Sequence, residues 1–514
     1  MTPNIESLTD GERPFIAVDM KGSSIVQSGA PRCALGHKIN SNSGSGLPED
    51  GIFAEWGWDG ENLTVRNDRY GIYPLFYAAK GRSLILSPSI TKVLELGGAA
   101  ELDYGALSVY FRLGFFLSDD TPFRDLKILP PSSRLTWCRG KLTLQTDERA
   151  RPTPKPVSME FDQIVDRYAE LFSQAISRRL PNTNNVVLPL SGGRDSRHIL
   201  LELSAQGCPP TRTVTVHGQP SIDDEDTRLA SWVAEAVNIP HDRVSYPASH
   251  FAATMKDITL TELCSSSHAW LIPLAAYLAS KQVSCTYDGL AGDILSSGLR
   301  TTEEKLRLAR TGKMIELAKR LLDENNREPF IQSCFQDSFN KRATRDLAIA
   351  KVSEELKRHL GFADPISSFF FWNLTRRGIA LLPFGIHRSV ATVYCPFLDH
   401  DLFDFLVNVD PSYTSGKRLH DAVIHRYYPE YRNIPFEYHA AKKPSEHVQS
   451  RFYRRSAVEA IWYLLKNQKY QSCIVKKGRF LAMLCRDAMR KKSPKIWYLH
   501  PLIHGLEIER AIMR

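Results

Sequence analysis

Residues 185–197 read NVVLPLSGGRDSR. The first six form a short apolar run bounded by turn formers, the pattern of a strand buried on both faces of a parallel sheet. Residues 195–204 then take up a helical period. Between strand and helix lie Ser191, Gly192 and Gly193. The two glycines let the backbone approach a ligand closely. Ser191 and Ser196 add hydroxyl donors, and the helix start contributes unpaired N–H groups with a partial positive charge. A strand, a small-residue loop and a helix start in that order form a phosphate cradle. Asp195 is at odds with such a cradle, because a carboxylate repels phosphate unless a cation such as Mg2+ lies between them. The loop lacks the G-x-x-x-x-G-K-S/T pattern, so it is not a Walker A loop.

The flanking segments extend the same pattern. Residues 211–216 read as a strand, 226–237 as a helix and 283–287 as a strand. Strands alternating with helices over short connections predict an α/β domain with a parallel sheet. Helical patterns dominate beyond residue 300. Upstream, the signals change to short strands at 15–18, 51–58, 63–66, 75–78 and 83–87, with a hairpin turn at Asp59-Gly60. A helix is expected over 102–111 and a second hairpin over 134–146, turning at Arg139-Gly140. Residues 41–51 form a loop of turn formers. The run DERARPTPKP at 147–156 has three prolines in five residues and reads as a linker. The expected division is an antiparallel, β-rich domain at 1–146, a linker at 147–157, a parallel α/β domain at 158–440 and a helical extension at 441–514.

Composition narrows the class. The chain has 514 residues, 43% hydrophobic and 24% charged, the balance of a globular protein. Its nine cysteines contain no C-x-x-C, which excludes a zinc ribbon, a dithiol redox site and a disulfide framework. No apolar run approaches the length of a membrane span, and residues 1–14 have no apolar core of a signal peptide, so the cytoplasm is the expected compartment. The net charge is +9, yet residues 439–514 alone hold 17 Lys/Arg against 5 Asp/Glu. That surplus exceeds the charge of the whole chain. It suits an anionic partner for the basic tail, or a solvated helical face.

Ser-Gly-Gly-x-Asp-Ser after a strand resembles the pyrophosphate loop of the ATP pyrophosphatase (PP-loop) superfamily, whose members cleave ATP between its α and β phosphates. Asp288-Gly289-Leu290-Ala291-Gly292-Asp293 resembles the S-G-x-G-x-D-E loop of asparagine synthetases, with Asp288 in place of Ser and Ile294 in place of Glu. Pro396-Phe397-Leu398-Asp399 reproduces that family's PFLD segment, and Glu225-Asp226 with Ala230, Val233 and Ala234 resembles its D-E-x-x-x-A-x-x-V-A helix. The resemblance implies ATP on Leu190, Ser191, Gly192, Gly193, Asp195, Ser196, Val216, Asp288 and Gly289. It also implies Mg2+ on Asp195 and Asp293. Residues 53–96 are similar to the family's glutaminase domain, with Asn67-Asp68-Arg69-Tyr70-Gly71-Ile72-Tyr73-Pro74-Leu75-Phe76-Tyr77 close to R-D-R-F-G-I-K-P-L-Y-Y. Glu101-Leu102-Asp103 and Thr121-Pro122-Phe123 continue the match. An Ntn-hydrolase-like sandwich in front of a PP-loop synthetase domain is therefore expected.

Departures from the family shape the expected chemistry. The family's glutaminase uses an N-terminal Cys, whereas residue 2 here is Thr and the first cysteine is Cys33. No glutaminase activity is expected. A synthetase domain behind a front domain without that Cys is similar in layout to β-lactam synthetases and lasso-peptide cyclases, which adenylate a carboxylate and close an amide. The family's E-x-R before PFLD is replaced by Thr392 and Tyr394. Its late catalytic Lys matches Lys442 or Lys443, with Lys443 preferred and Lys417 a weaker candidate. Arg194 and Arg197 are candidates for contact with phosphate or an acidic substrate, and Arg197, one turn into a helix, equally for a solvated face. His217 and His268 fall near the expected nucleotide pocket, and the run 369–372 (FFFW) reads as core. The expectation is an ATP-dependent amide ligase acting on a small-molecule or peptide carboxylate. A PP-loop RNA-modifying enzyme and a catalytically dead nucleotide-binding scaffold are the alternatives.

Overall fold

The computed structural model describes residues 5, 8, 13–39, 49–98, 100–147, 154–216, 225–437, 446–468, 470–489 and 497–513, with 446–451 as backbone alone. The front of the chain forms two antiparallel sheets. Strands β1 (Ile16–Lys21), β2 (Ser24–Gly29), β3 (Arg32–Lys38), β4 (Gly51–Trp58), β5 (Asn62–Asn67), β6 (Phe76–Lys80), β7 (Ser83–Ser87), β8 (Leu126–Ile128), β9 (Ser133–Cys138) and β10 (Lys141–Thr146) sort into the orders β2-β1-β7-β6-β8 and β10-β9-β5-β4-β3. Alternation decides the packing. Along β5 and β9 every second side chain is buried, so one face of each strand turns inward. Ile16, Val18, Leu84 and Leu86 of the first sheet meet Ala54, Trp56, Leu63, Val65, Leu135 and Trp137 of the second in one core. The β9–β10 hairpin turns at Arg139 and Gly140, both at positive φ (45° and 85°), as a two-residue turn with right-handed strand twist requires. Strands β2 and β3 lie in a segment whose sequence carries little strand signal.

Buried Asp68 orders the segment after β5. Its carboxylate accepts from the amides of Phe53, Tyr70, Ile72 and Tyr73 at 2.9–3.3 Å. Burial still raises its pKa to about 6, against the opposing pull of those amides.

The second half carries a parallel sheet of β11 (Val186–Pro189), β12 (Arg212–Val216), β13 (His241–Val244), β14 (Cys285–Tyr287) and β15 (Thr392–Tyr394) in the order β13-β12-β11-β14-β15. The chain winds outward from β11 in one direction and then resumes at β14 on its other side. The crevice between β11 and β14 is therefore the topological switch point, where open α/β sheets bind ligands at their carboxyl ends.

Arginines join the two halves. Buried Arg179 donates to both oxygens of Asp50 (2.9 and 2.8 Å), ahead of β4, and to Asp399 (2.7 Å). Burial alone would raise Asp399, but the guanidinium charges of Arg179 and Arg178 hold it below the usual carboxylate range. Arg376 donates to the carbonyls of Gly71, Ser118 and Leu129, and Arg377 to those of Ser118 and Asp120.

The C-terminal helices pack against the front half. Helices Glu446–Lys466, Lys477–Met489 and Leu499–Met513 send Phe452, Tyr453, Ala457, Ala460, Leu464, Phe480, Leu484, Leu502, Ile503 and Leu506 into one core with Phe76, Ala106, Tyr110, Phe111 and Phe116 of the front half. Of the described basic side chains on the first two of these helices, Arg454, Arg455, Lys466, Arg479 and Arg486 are exposed and Lys477 is half-buried. Two histidines, His504 buried and His500 half-buried, fasten the last one. His500 Nδ1 lies 2.6 Å from the Ser266 carbonyl, and His504 Nε2 lies 2.9 Å from that of Leu263. Burial lowers both from 6.5 to about 4. The unfolded chain thus protonates them first. Their contribution is complete above pH 6.5 and is lost as pH falls toward 4, by about 1.4 kcal/mol per pH unit for each. Urea unfolding across that range is expected to show this slope. A double variant, His500→Gln with His504→Gln, is expected to lack about two protons of it. Identical slopes would show that neither imidazole is held neutral.

Candidate active site

The loop after β11 is built by short-range hydrogen bonds. The Ser191 amide donates to Ser196 Oγ (3.0 Å), the Gly193 amide to Ser191 Oγ (3.2 Å), and the two hydroxyls lie 3.1 Å apart. The Gly192 amide donates to Asp226 Oδ1 at 2.6 Å. Asp226, on helix Glu225–Ala236, thus places a carboxylate on one donor of the cradle. The Gly192 carbonyl faces away and accepts from the Glu437 amide (3.0 Å). Thr215 Oγ1 donates to the Leu190 carbonyl (2.6 Å), locking β12 beside the loop and setting Val216 at the end of that strand.

Arg194 and Arg197 turn out to be structural. Neither is solvated, at 7% and 1% exposure. Arg194 pairs with Asp421 (Nη2 to Oδ2, 3.0 Å), and Arg197 donates to the carbonyls of Ile434 and Pro435, each at 2.8 Å. Both guanidiniums stack on Phe436, at 4.2 and 4.4 Å from its ring centre. They hold the 434–437 segment against the cradle.

The second loop follows β14. The Asp288 amide donates to the Tyr394 carbonyl of β15 (2.8 Å). Gly289 and Gly292 press on Asp195. A Cβ at Gly289 would lie 2.6 Å from Asp195 Cβ, and one at Gly292 would lie 2.5 Å from Asp195 Cγ. Only glycine admits this approach. The carboxylates of Asp195 and Asp293 consequently interact, and the Asp293 amide donates to Asp195. Desolvation, then the charge of Asp293, pushes Asp195 well above the usual carboxylate range. Desolvation also raises Asp293, and it raises Asp288 to about 6. Asp195 keeps 24% of its side chain exposed, so the group opens toward the crevice. A divalent cation between Asp195 and Asp293 would relieve their repulsion, and carboxylate oxygens are the donors Mg2+ prefers. The two residues fit that ion.

Three groups that no sequence spacing links to this site support it from beneath. The Ser296 hydroxyl donates to the Gly292 carbonyl (2.7 Å). Its oxygen must therefore accept from His420 Nδ1, 2.9 Å away. This assigns the Nδ1–H tautomer to His420 and leaves its Nε2 to accept from His198 Nδ1 at 3.2 Å. His420 Nδ1 also lies 3.4 Å from Asp195 Oδ1. Burial lowers His420 to about 3, so the neutral form is the working one.

Of the residues expected from sequence, Leu190, Ser191, Gly192, Gly193, Asp195, Ser196, Asp288, Gly289 and Asp293 converge at the carboxyl ends of β11 and β14, with Val216 on the adjoining strand. Lys442, Lys443 and His217 lie outside the described residues. Lys417 heads the helix Arg418–Tyr427, and its charge, after that of Arg300, lowers Asp293 against the upward pull of desolvation. His268 is away from the crevice, bonded through Nε2 to the Gly378 carbonyl (3.0 Å). Residues 369–371 are core. Gly292→Ala is expected to cost about 1–3 kcal/mol through overpacking against Asp195. Gly478→Ala, in a helix with nothing within 4 Å, should be neutral or stabilising. Thermal unfolding compares them, and equal effects would refute the close-packing account.

Comparison with known proteins gives the family. A family model described as asparagine synthase matches residues 167–500, and one described as a glutamine amidotransferase domain matches 47–147. Glutamine-hydrolyzing asparagine synthetase 3 of Bacillus subtilis (strain 168) is 31% identical over 154 residues, 29% of this chain and 25% of that protein. Asparagine synthetase 2 of the same strain is 23% identical over 238 residues, 42% of this chain and 30% of that protein. The chain thus matches under a third of the length of these relatives. Among solved structures, an allosteric regulatory enzyme of purine biosynthesis covers 39% of this chain and 49% of its own, at 10% identity and a TM-score of 0.15. A glutamine phosphoribosylpyrophosphate amidotransferase from B. subtilis covers 44% and 62%, at 10% identity and a TM-score of 0.16. Among the described residues, no helix is long and apolar enough to cross a membrane. The front half is built of two antiparallel sheets, and its residues 47–147 match a glutamine amidotransferase domain model; with more than half its length matched by the asparagine synthase model, the chain belongs to the asparagine synthase family.

Proposed function

We propose that this chain is an ATP-dependent amide ligase that forms AMP and pyrophosphate. The observation that carries the reading is the convergence of Asp195 and Asp293 beside the Ser191–Ser196 loop at the switch point. A substrate carboxylate oxygen attacks the α-phosphorus of ATP, and the bond from that phosphorus to the bridging oxygen of pyrophosphate breaks. The acyl-adenylate then meets an amine, whose nitrogen bonds to the carbonyl carbon as AMP leaves and a proton is lost. Ser191, Ser196 and the Gly193 amide bind the departing pyrophosphate oxygens, and the strand end at Val216 receives the adenine. Asp195 and Asp293 would hold Mg2+, which would supply charge neutralisation of the phosphates. Positioning and charge complementarity account for most of the rate. Lys443 or Lys442 is the cation assigned to the transition states.

The amine does not come from glutamine hydrolysed by this chain. Cys33, the first cysteine in the sequence, sits within β3, where burial raises its thiol rather than activating it. Ring closure within one substrate, as in β-lactam synthetases and lasso-peptide cyclases, is compatible with that. One observation favours a second reading, a catalytically dead nucleotide-binding scaffold: Asp226 already bonds the Gly192 amide.

Pyrophosphate exchange into ATP, with a panel of carboxylates beginning with aspartate and including peptides, separates the readings. Carboxylate-dependent exchange is expected in the wild type. Asp195→Asn and Asp293→Asn are expected to lose about 100-fold or more while melting as the wild type does. Full exchange by either variant would eliminate the two-carboxylate site, and ATP binding without exchange for any acid would favour the scaffold. Glutamate release from glutamine should not exceed background, and a Cys33→Ser variant should be unaltered in amide synthesis.

A further inference from the structure

The outer side of the C-terminal helices carries a surface that the ATP site does not use. Val458 (43% exposed), Trp462 (61%) and Leu465 (38%) follow one another at i, i+4 and i+7 on helix Glu446–Lys466, and so form one stripe. Arg454, one turn earlier, donates through Nε to the Ala488 carbonyl at 2.9 Å. That bond sets Met489, 75% exposed, beside the head of the stripe. Arg454, Arg455, Lys466, Arg479 and Arg486 are exposed on the same two helices. Among their described side chains no carboxylate is exposed: Glu459 is half-buried, pairs with Arg455 at 2.9 Å and accepts from Ser249, and Asp487 is buried. Trp497 is also exposed, at 52%.

Large apolar side chains left in water beside a dense cationic field mark an interaction surface. We propose that this face docks on an anionic lipid surface, with Trp462, Val458, Leu465 and Met489 entering the headgroup boundary and Arg454, Arg455, Lys466, Arg479 and Arg486 meeting the phosphates. Aliphatic side chains interleaved with tryptophan suit hydrocarbon and the interface. Nucleic acid is a poorer match, because Val458, Leu465 and Met489 offer no plane for base stacking. A second copy of this chain is a poorer match too, because a two-fold contact would oppose like charges. The docking is peripheral and stands independently of the chemistry at Asp195.

Co-sedimentation of the full chain with vesicles tests it. Binding is expected to phosphatidylcholine vesicles containing about one third phosphatidylglycerol, and not to pure phosphatidylcholine, with tryptophan emission shifting to the blue. Raising the salt to about 0.5 M should weaken binding by about 10-fold or more. Trp462→Glu and Val458→Glu should each reduce it at least about 10-fold without changing the melting temperature. Arg454→Gln with Arg455→Gln should reduce it with the emission otherwise normal. The proposal is overturned if anionic and neutral vesicles bind alike, or if Trp462→Glu leaves vesicle binding intact. It is also overturned if the chain binds single-stranded RNA but no vesicle, or if a dimer that Trp462→Glu dissociates buries the stripe.

Discussion

Repulsion between Asp195 and Asp293 is the constraint around which the synthetase half is arranged. Two partly enclosed carboxylates within reach of each other are costly to hold in one place. Three features of the fold oppose that cost. The parallel sheet brings the ends of β11 and β14 side by side and so fixes the separation of the two loops. Gly289 and Gly292 remove the side-chain bulk that would otherwise drive the loops apart. The Asp293 amide and the neutral His420 donate toward Asp195 from below. A divalent cation on the crevice side would relieve what remains of the repulsion.

The front half serves the site through rigid attachment. Arg179 meets Asp50 on one side and Asp399 on the other, so the start of β4 and the segment following β15 share one guanidinium. Without it the buried Asp50 would lose its guanidinium partner, while Asp399 would keep Arg178 alone. Arg376 and Arg377 do the equivalent for carbonyls on the far side of the front sandwich, satisfying groups that water cannot reach. His37 of β3 packs edge-on against Tyr394 at the end of β15, with ring centres 5.1 Å apart. Contacts of this kind make the front half part of the wall of the synthetase half.

Much of the site was legible in residues 185–197 and 288–293, because a phosphate cradle depends on local backbone and on residue types with few substitutes. Two strands of the parallel sheet were not legible. His241–Val244 and Thr392–Tyr394 span four and three residues, too few for a period, and their burial is set by neighbours distant in sequence. Arg194 and Arg197 looked like phosphate ligands because they sit in the loop. Their guanidiniums are instead consumed by Asp421, Phe436 and two carbonyls more than 200 residues away. The basic character of 439–514 concealed an apolar inner side, since net charge counts residues without regard to the face they occupy.

The sequence by itself determined the order of the two halves, the cradle, its paired aspartates and the family, all of which rest on contiguous motifs whose chemistry is local. Tertiary structure alone decided that the strands run β13-β12-β11-β14-β15, that His198, His420 and Ser296 support Asp195, and that the C-terminal helices close a core with the front half. The physical reason is one of range. Turn chemistry, helix starts and strand alternation act between residues a few positions apart, whereas burial and hydrogen-bond satisfaction are settled only when segments hundreds of residues apart compete for the same space.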